Sequence, residues 1–351
     1  MNDLRILFLE LTKVCNLSCI HCKAGAGESP PNELERREIF DLIDSLLAFS
    51  NPLLILTGGE PLMREDVFDI AAYAAENGLK VALATNGTLI DREMAGEIKR
   101  SGIKRVSVSL DGSNPEVHDG IRGVKGAFER AMRGIENLRS HGVEVQINTT
   151  VTKQNVEDLT AIMDLCLRLH LKALHLFLLV PVGCGLEIEE ESQLPPVQYE
   201  RVLNWLYRRS KEVDLELKAT CAPHYFRIAG LRGTRRLGCL AGINVCFISS
   251  LGYVQPCGYL PLDAGNIREK GIRETWERAE LFKLLRDPEQ LKGKCGICEF
   301  KYVCGGCRAR AYGRTGDFLA EEPQCIYQSE KPLDENEVRF GSIGGAHESY
   351  L

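Results

Sequence analysis

Residues 5–22 of the chain read RILFLELTKVCNLSCIHC, an apolar run followed at once by three cysteines. The run at 5–11 has the length and composition of a buried β-strand. Cys15, Cys19 and Cys22 follow with the spacing C-x3-C-x2-C. Three thiols on one short loop indicate a metal or cluster site, and their position predicts that this site lies at the end of the first strand.

Further strands of the same kind follow along the chain. Strands are predicted at 5–11, 53–57, 80–85, 105–110, 143–151 and 173–181. Amphipathic helices are predicted between them, at 33–49, 65–77, 90–101, 124–141 and 154–169. Six strands that alternate with helices favour an α/β fold with a parallel sheet, which we expect to curl into a partial (β/α)6 TIM-like barrel.

Polar and glycine-containing segments follow four of these strands. They are TGGEP at 57–61, TNG at 85–87, DG at 111–112 and NTT at 148–150. Each segment taken alone could be a simple turn. Because parallel sheets place their sites at the carboxyl ends of the strands, four such segments together favour a binding site at this edge.

The pattern changes near residue 215 to short β-like runs, turns and cysteines. We therefore predict a barrel domain at 1–215, a cysteine-rich domain at 216–330 and a flexible tail at 331–351. A helix predicted at 197–213 precedes the boundary. The tail is assigned because its residues are polar and rich in glycine, as chain termini often are.

Composition excludes several functional classes. The 351 residues carry a net charge of −6 with a pI of about 5.8, so there is no overall electrostatic case for binding nucleic acid or an anionic membrane. The first residues, MNDLRILFLE, lack the features of a secretory signal, and the longest apolar run, at 173–182, is too short to span a bilayer. We expect a cytoplasmic protein with no nucleic-acid or membrane partner.

Fourteen cysteines are unevenly distributed. Clustered cysteines in a reducing compartment favour metal or redox sites over disulfides. Beyond the first three, the clustered cysteines are Cys239, Cys246, Cys257, Cys295, Cys298, Cys304, Cys307 and Cys325. Cys166, Cys184 and Cys221 stand apart, and Cys166 lies in an apolar-periodic stretch where a small core residue is expected.

The first three cysteines fit an open iron–sulfur cluster. Three thiolates hold three irons of a cubane, and the fourth iron is left free to bind a small molecule. Structural zinc is the alternative, but it needs a fourth ligand, and it favours paired C-x2-C knuckles. His21 is adjacent and awkwardly placed for that role. The spacing therefore favours a [4Fe–4S] cluster.

Eight further cysteines match the ligands of two fully coordinated cubanes. A pair of structural zinc sites is the alternative, because C-x2-C pairs also form zinc knuckles. The open cluster predicted earlier in the chain favours iron and sulfur here as well.

The cysteine triplet and the strand-end segments, taken in order, resemble the radical S-adenosylmethionine (SAM) superfamily. The resemblance implies that the GGEP segment grips the methionyl amino group of SAM and that two strand-four residues contact its ribose and carboxylate. His21 stands at a usually aromatic position before the third cysteine. The cofactor-binding residues implied are Gly58, Gly59, Glu60, Pro61, Ser109, Asp111, Asn148 and His21.

The chemistry implied by this superfamily is reductive cleavage of SAM. The cleavage yields methionine and a 5′-deoxyadenosyl radical that takes a hydrogen atom from an unactivated carbon. The cofactor supplies the reactivity, and the protein binds the substrate, orients it toward the radical and excludes water. We therefore expect no dominant His or Glu general base.

The later cysteines resemble the SPASM extension, which carries two auxiliary [4Fe–4S] clusters. The resemblance assigns Cys239, Cys246, Cys257 and Cys307 to the nearer cluster and Cys295, Cys298, Cys304 and Cys325 to the outer one. The chain departs from the extension where two residues, and not the common three, separate Cys304 from Cys307. Fully ligated clusters imply electron transfer or substrate positioning.

The whole chain through Cys325 resembles the heme b synthases of the siroheme-dependent heme pathway. The segments that carry this resemblance include KATCAPHYFRI, CFISSLGYVQPCGYL and KCGICEFKYVCGGCRARAYG. The reaction implied is oxidative decarboxylation of two propionates of Fe-coproporphyrin III to vinyl groups, with a low-potential electron donor. Two alternatives stay open: another SPASM enzyme acting on a peptide or a different tetrapyrrole, and a non-catalytic zinc-binding or heme-carrier protein.

Residues 218–238 are basic and contain no acidic residue. Such a segment could hold the carboxylates of a substrate, although a solvated basic helix face is the alternative. Cys221 could equally be a structural thiol, and His224 a packing residue. The candidate substrate residues are Lys218, Cys221, His224, Arg227 and Arg235.

Overall fold

The computed structural model describes residues 3–233 and 237–329. Its strands are β1 (Ile6–Glu10), β2 (Leu53–Thr57), β3 (Lys80–Thr85), β4 (Arg105–Ser109), β5 (Glu144–Val151), β6 (Ala173–Leu178), β7 (Glu216–Thr220), β8 (Val245–Ile248), β9 (Tyr253–Gln255) and β10 (Gly265–Asn266). They form one sheet in the order β10-β9-β8-β1-β2-β3-β4-β5-β6-β7.

Parallel pairing runs without interruption from β8 through β1 to β7, and β9 and β10 add antiparallel strands at one edge. The six predicted strands are confirmed, with β2 and β3 matching their predicted bounds. The prediction for the sixth strand runs too far, because β6 ends at Leu178. Pro181, which has no backbone N–H, lies in the segment that was wrongly included.

The helices are α1 (Arg36–Leu47), α2 (Val67–Glu76), α3 (Arg92–Arg100), α4 (Pro115–Arg122), α5 (Ala127–Ser140), α6 (Leu159–Arg168), α7 (Glu189–Ser192), α8 (Pro196–Arg209), α9 (His224–Ile228), α10 (Ile272–Arg278), α11 (Glu280–Arg286), α12 (Gly293–Gly296) and α13 (Arg308–Thr315). Among the described residues, no helix has the length and apolar character needed to cross a membrane.

The two faces of the sheet differ because side chains alternate along each strand. Leu7, Leu54 and Val81 are lateral neighbours on one face, and all three are fully buried in the main hydrophobic core. The opposite face is the interior of the curled sheet and carries polar side chains on β4 to β7. The interior face is therefore where a polar site can form.

The sheet continues past residue 215. β7 pairs with β6, and β8 pairs with β1, so both edges of the six-strand unit are extended by residues that follow 215. The division into domains at 1–215 and 216–330 remains a prediction. The expected tail at 331–351 lies outside the described residues.

Helix α4 is short but has well-defined ends. The side chain of Asn114 accepts a hydrogen bond from the Val117 amide at 3.1 Å, and Pro115 occupies the first turn, where its missing N–H costs nothing. Gly123 ends the helix in the left-handed conformation. His118 and Arg122, one turn apart, therefore point from the same side of the helix.

Candidate active site

The three cysteines of the first loop lie directly beyond β1, and all three are partly exposed. The loop is ordered by its own backbone: the Cys22 amide donates to the Cys19 carbonyl at 3.2 Å. The Ala26 amide donates to the Cys22 Sγ at 3.3 Å. The three thiols are thus held on one short ordered loop and stay partly exposed, which fits a cluster with a free iron.

The two glycines after β2 hold this loop in place. The Gly59 amide donates to the Thr12 carbonyl, and the Glu60 amide donates to the Val14 carbonyl, both at 2.7 Å. A Cβ atom at Gly58 would lie 2.6 Å from the Thr12 oxygen, and one at Gly59 would lie 2.4 Å from the Val14 oxygen. No side chain fits at either position, so glycine lets the segment pack flat against the cysteine loop.

Glu60 uses its carboxylate inside the protein. The side chain is fully buried and accepts hydrogen bonds from the Thr85 hydroxyl and the Asn86 amide, both at 2.7 Å, and from the Leu62 amide at 3.1 Å. Burial raises the pKa of Glu60 to about 7. The carboxylate thus ties the end of β2 to the end of β3, while Pro61 opens a single 3-10 turn.

Asp111 is the centre of a buried polar network just beyond β4. Its Oδ1 accepts from the Thr150 amide at 2.7 Å. Its Oδ2 lies 2.8 Å from Arg122 Nη2 and 3.4 Å from His21 Nε2. Burial lowers the pKa of His21 to about 4, so the imidazole is neutral and Arg122 balances the charge of Asp111. Both carboxylate oxygens that were expected to meet SAM therefore have partners within the chain.

Arg122 connects this network to the cluster loop. Its Nη1 lies 3.7 Å from Cys19 Sγ, while its Nη2 pairs with Asp111. Hydrogen bonds to ligating sulfurs tune a cluster, and such outer partners strongly affect metal sites. Arg122 was not predicted as a site residue. It follows His118 by four residues, in the segment after Asp111 and Gly112 at the end of β4, and this spacing could have indicated that both side chains point toward the site.

A polar row crosses the interior face of the sheet. Ser109, Asn148, His175 and Lys218 are lateral neighbours in the registers of β4 to β7. Asn148 accepts a hydrogen bond from Gln146 Nε2 at 2.7 Å. The structure thus brings the two predicted cofactor residues onto the same face as the predicted substrate residue Lys218.

The four cysteines assigned to the outer cluster line one cavity. They are Cys295, Cys298, Cys304 and Cys325, and His224 lines the same cavity. Both ring nitrogens of His224 are buried without a hydrogen-bond partner among the described residues. Four sulfur donors and an unpartnered imidazole around one space fit a fully ligated cubane.

The cysteines assigned to the nearer cluster separate into two groups. Cys239 and Cys307 neighbour Cys257, and burial together with these two thiols raises the pKa of Cys257 to about 12. Cys246 lies on β8 with its side chain fully buried, and its Sγ is 3.5 Å from the Gln255 carbonyl. Cys246 also neighbours Cys257, but its side chain shares a fully buried face of the sheet with Leu7, and in this it differs from the other three predicted ligands.

No three His, Cys, Asp or Glu side chains of the described residues stand close enough to bind a single metal ion. The thiolates of a cubane bind different irons, so they stand farther apart than the ligands of one ion.

Two family models match the chain. The model described as "Radical SAM superfamily" matches residues 9–166, and the SPASM model, described as "Iron-sulfur cluster-binding domain", matches residues 239–307. A protein of Methanosarcina barkeri (strain Fusaro / DSM 804) named AdoMet-dependent heme synthase is 50% identical over 94% of this chain and 98% of its own length. This chain belongs to the radical SAM superfamily, in the family of AdoMet-dependent heme synthases.

The comparison extends to a more distant relative and to a solved structure. Fe-coproporphyrin III synthase of the same organism is 33% identical over 93% of this chain and 88% of its own length. Streptococcus suis SuiB bound to S-adenosylmethionine superposes with a TM-score of 0.78 at 19% identity, covering 93% of this chain and 78% of that one. The likeness to SuiB confirms the fold.

As a radical SAM enzyme with a SPASM domain, the chain uses a [4Fe–4S] cluster with SAM and carries auxiliary iron–sulfur clusters. The predicted cofactors are therefore confirmed. The individual ligands and SAM contacts remain predictions that the geometry above supports to different degrees.

The basic segment of this enzyme does not form one surface among the described residues. Arg227 pairs with both oxygens of Glu200, at 2.6 and 2.7 Å, and Arg232 stacks on the Phe300 ring. Lys218 points into the sheet interior instead, and Arg235 lies outside the described residues. The acidic partner comes from α8, which is distant in sequence, and for that reason the local composition did not reveal it.

Lys23 lies between the first cysteine loop and the nearer auxiliary cysteines. Its Nζ stands 4.5 Å above the Phe247 ring and 5.6 Å from the Tyr259 ring. Burial lowers its pKa, while the neighbouring groups Glu10, Cys257, Cys22 and Cys221 act in the opposite direction. Lys23 was not among the site residues predicted from the sequence.

Proposed function

We propose that this radical SAM enzyme converts Fe-coproporphyrin III to heme b by oxidative decarboxylation of two propionates. The observation that carries the proposal is 50% identity, along nearly the whole length, to a protein named AdoMet-dependent heme synthase. The reaction belongs in the cytoplasm, where the cluster thiols stay reduced.

The reaction has a simple balance. The bound cluster and SAM supply, with one electron from a low-potential donor, the radical that abstracts hydrogen. Each propionate loses one hydrogen atom from the carbon next to the macrocycle, then CO2 and one electron, and a vinyl group remains. The electron released by the substrate needs an acceptor, and the auxiliary clusters are the acceptors that we propose.

Lys23 is the residue best placed to hold a substrate carboxylate. Its ammonium neighbours both Cys22 of the first loop and the buried thiol of Cys257. A charge-assisted hydrogen bond from a buried ammonium is stronger than one between neutral groups. Lys218 on the interior row is a second candidate. Arg227 is a weaker one, since Glu200 already occupies its guanidinium.

The test is a product assay under anaerobic conditions. The reconstituted enzyme is incubated with Fe-coproporphyrin III, SAM and dithionite, and the porphyrin is analysed by mass spectrometry. We expect loss of two CO2 together with formation of 5′-deoxyadenosine. Formation of 5′-deoxyadenosine with an unchanged porphyrin would contradict the proposed substrate and leave the superfamily assignment intact.

Two variants sharpen the assay. Lys23→Met should lower porphyrin decarboxylation roughly tenfold or more, as expected when a charged partner is removed from a buried carboxylate, while uncoupled SAM cleavage persists. Lys172→Met removes an exposed ammonium and should leave both activities unchanged. Equal product yields from the two variants would exclude Lys23 from substrate binding.

A reaction on a different tetrapyrrole is the second candidate, because the chain is also similar to a protein named Fe-coproporphyrin III synthase. The same assay with other carboxylated iron tetrapyrroles distinguishes the two. Turnover of such a compound without turnover of Fe-coproporphyrin III would favour this alternative.

A further inference from the structure

Cys221 has an unusual backbone conformation. It follows β7 directly and adopts a φ of 55°, in the left-handed region that residues other than glycine seldom occupy. Its carbonyl accepts hydrogen bonds from Arg310 Nη2 at 2.9 Å and from the Tyr199 hydroxyl at 3.1 Å. Both donors are fully buried, so the surrounding structure holds Cys221 in this strained conformation.

This conformation directs the Cys221 side chain toward the auxiliary cysteines. Its thiol lies beside the thiol of Cys307, and Cys257 is a near neighbour. The chain just after it also meets the segment of Cys239, since a Cβ at Gly238 would lie 2.7 Å from the Pro223 Cβ. Cys221 therefore joins these three predicted ligands of the nearer cluster.

Cys246 faces the other way. It is the lateral neighbour of Leu7, and both side chains are fully buried on the helix-covered face of the sheet. The next residue, Phe247, points to the opposite face, where Lys23 stands over its ring. Since Lys23 neighbours Cys221 and Cys257, these two thiols lie on the Phe247 side of the sheet.

We propose that Cys221, and not Cys246, is the fourth ligand of the nearer auxiliary cluster, together with Cys239, Cys257 and Cys307. Cys246 is a small residue of the hydrophobic core. This assignment rests on the confirmed cluster-binding family and is independent of the porphyrin substrate.

The experiment isolates the auxiliary clusters in the full chain. Cys15, Cys19 and Cys22 are all replaced by alanine, which removes the first cluster and leaves about eight irons per chain after anaerobic reconstitution. Cys221→Ala or Cys246→Ala is then added. Iron and sulfide are counted, and EPR spectra are recorded before and after mild ferricyanide oxidation.

We expect Cys221→Ala to behave like the positive control Cys239→Ala. Either the iron content falls to about half, or the nearer cluster survives on three thiolates and loses its exposed iron on oxidation, giving a [3Fe–4S] EPR signal of about one spin per chain. Cys246→Ala should keep all its iron and give no new signal. The Cys246 variant is the matched control because both positions are cysteines within the same domain.

The proposal would be overturned if the [3Fe–4S] signal or the iron loss occurred in Cys246→Ala alone. It would equally be overturned if the change occurred in both Cys221→Ala and Cys246→Ala, or in neither of them. If Cys221→Ala does not fold, Cys221→Ser replaces it. A serine oxygen at one iron should retain the cluster and change its reduced EPR spectrum, and a spectrum identical to that of the background would equally overturn the assignment.

Discussion

The two cysteine regions are each built on a buried arginine–carboxylate pair, yet the two arginines act on different partners. At the first loop, Arg122 lies 2.8 Å from Asp111 and also contacts Cys19 Sγ. In the later region, Arg310 lies 3.2 Å from Glu322 and donates to the carbonyls of three residues. These residues are Leu178, Leu179 and Cys221.

This difference shows what each arginine contributes. A buried ion pair by itself is weak evidence for stability, because desolvation offsets the attraction. The role of each arginine is decided by the N–H donors that do not contact its carboxylate partner. Arg122 gives a donor to the sulfur of Cys19, a predicted cluster ligand, and is therefore expected to act on the cluster. Arg310 gives its donors to the ends of β6 and β7 and so acts on the assembly of the protein.

The largest effect is expected from Arg310→Met. Removing this guanidinium leaves the Glu322 carboxylate buried without its charged partner and takes a donor away from three carbonyls, so the free energy of unfolding should fall by about 3–5 kcal/mol. Anaerobic urea unfolding measures this loss. Arg314→Met, at a position where the side chain is 62% exposed, is the control and should change stability by less than about 0.5 kcal/mol.

The double variant Arg310→Met/Glu322→Gln sharpens the result, since it removes the uncompensated charge as well. It should recover part of the stability that the single variant loses. A double variant less stable than the single one would show that the pair does not account for the effect.

A smaller effect, confined to the first cluster, is expected from Arg122→Gln. Loss of the donor to Cys19 should lower the reduction potential of the first cluster and slow SAM cleavage by about 10–100-fold, with the iron content kept. The rate of 5′-deoxyadenosine formation and an EPR-monitored redox titration measure both quantities. Arg100→Gln, at an exposed position on α3, is the control. If the reduction potential and the rate of SAM cleavage are both unchanged, the role of Arg122 is limited to its ion pair with Asp111.

The smallest effect concerns pH. His118 accepts a hydrogen bond from the Asp111 amide through Nδ1, and burial lowers its pKa to about 4. The unfolded chain takes up this proton below a pH of about 6.5 and the folded one does not, so stability is full above that pH and falls toward pH 4. At about pH 5.5 the loss should be on the order of 1 kcal/mol.

His118→Gln keeps an acceptor for the Asp111 amide and does not titrate. Between about pH 7.5 and pH 5.5 it should lose less stability than the unsubstituted protein in anaerobic urea unfolding. Equal losses of stability in the two proteins would show that His118 has the same pKa in the folded and unfolded states.

Local patterns predicted most of the barrel. The first six strands were recognised from short apolar or alternating runs, and polar or glycine-containing segments follow four of them. β7 and β8 were not predicted as part of this sheet, because they lie beyond the change of pattern near residue 215 and find their partners through long-range pairing.

The site shows the same limit. Spacing alone predicted the cysteine triplet and the glycines beside it. The side-chain direction of Cys246 could not be predicted, since β8 reads VCFI and a uniformly apolar strand gives no alternation to distinguish its faces. Arg122, Lys23 and Glu200 act through contacts between distant segments, which composition does not reveal.

The contacts of Arg310 also impose an order on biosynthesis. Its guanidinium reaches back 132 residues to Leu178 and 89 residues to Cys221. While the chain leaves the ribosome, β6 and β7 are therefore complete long before the donor that ties their ends together has been made. The carbonyl of Cys221 therefore gains its Arg310 donor only after α13 has emerged.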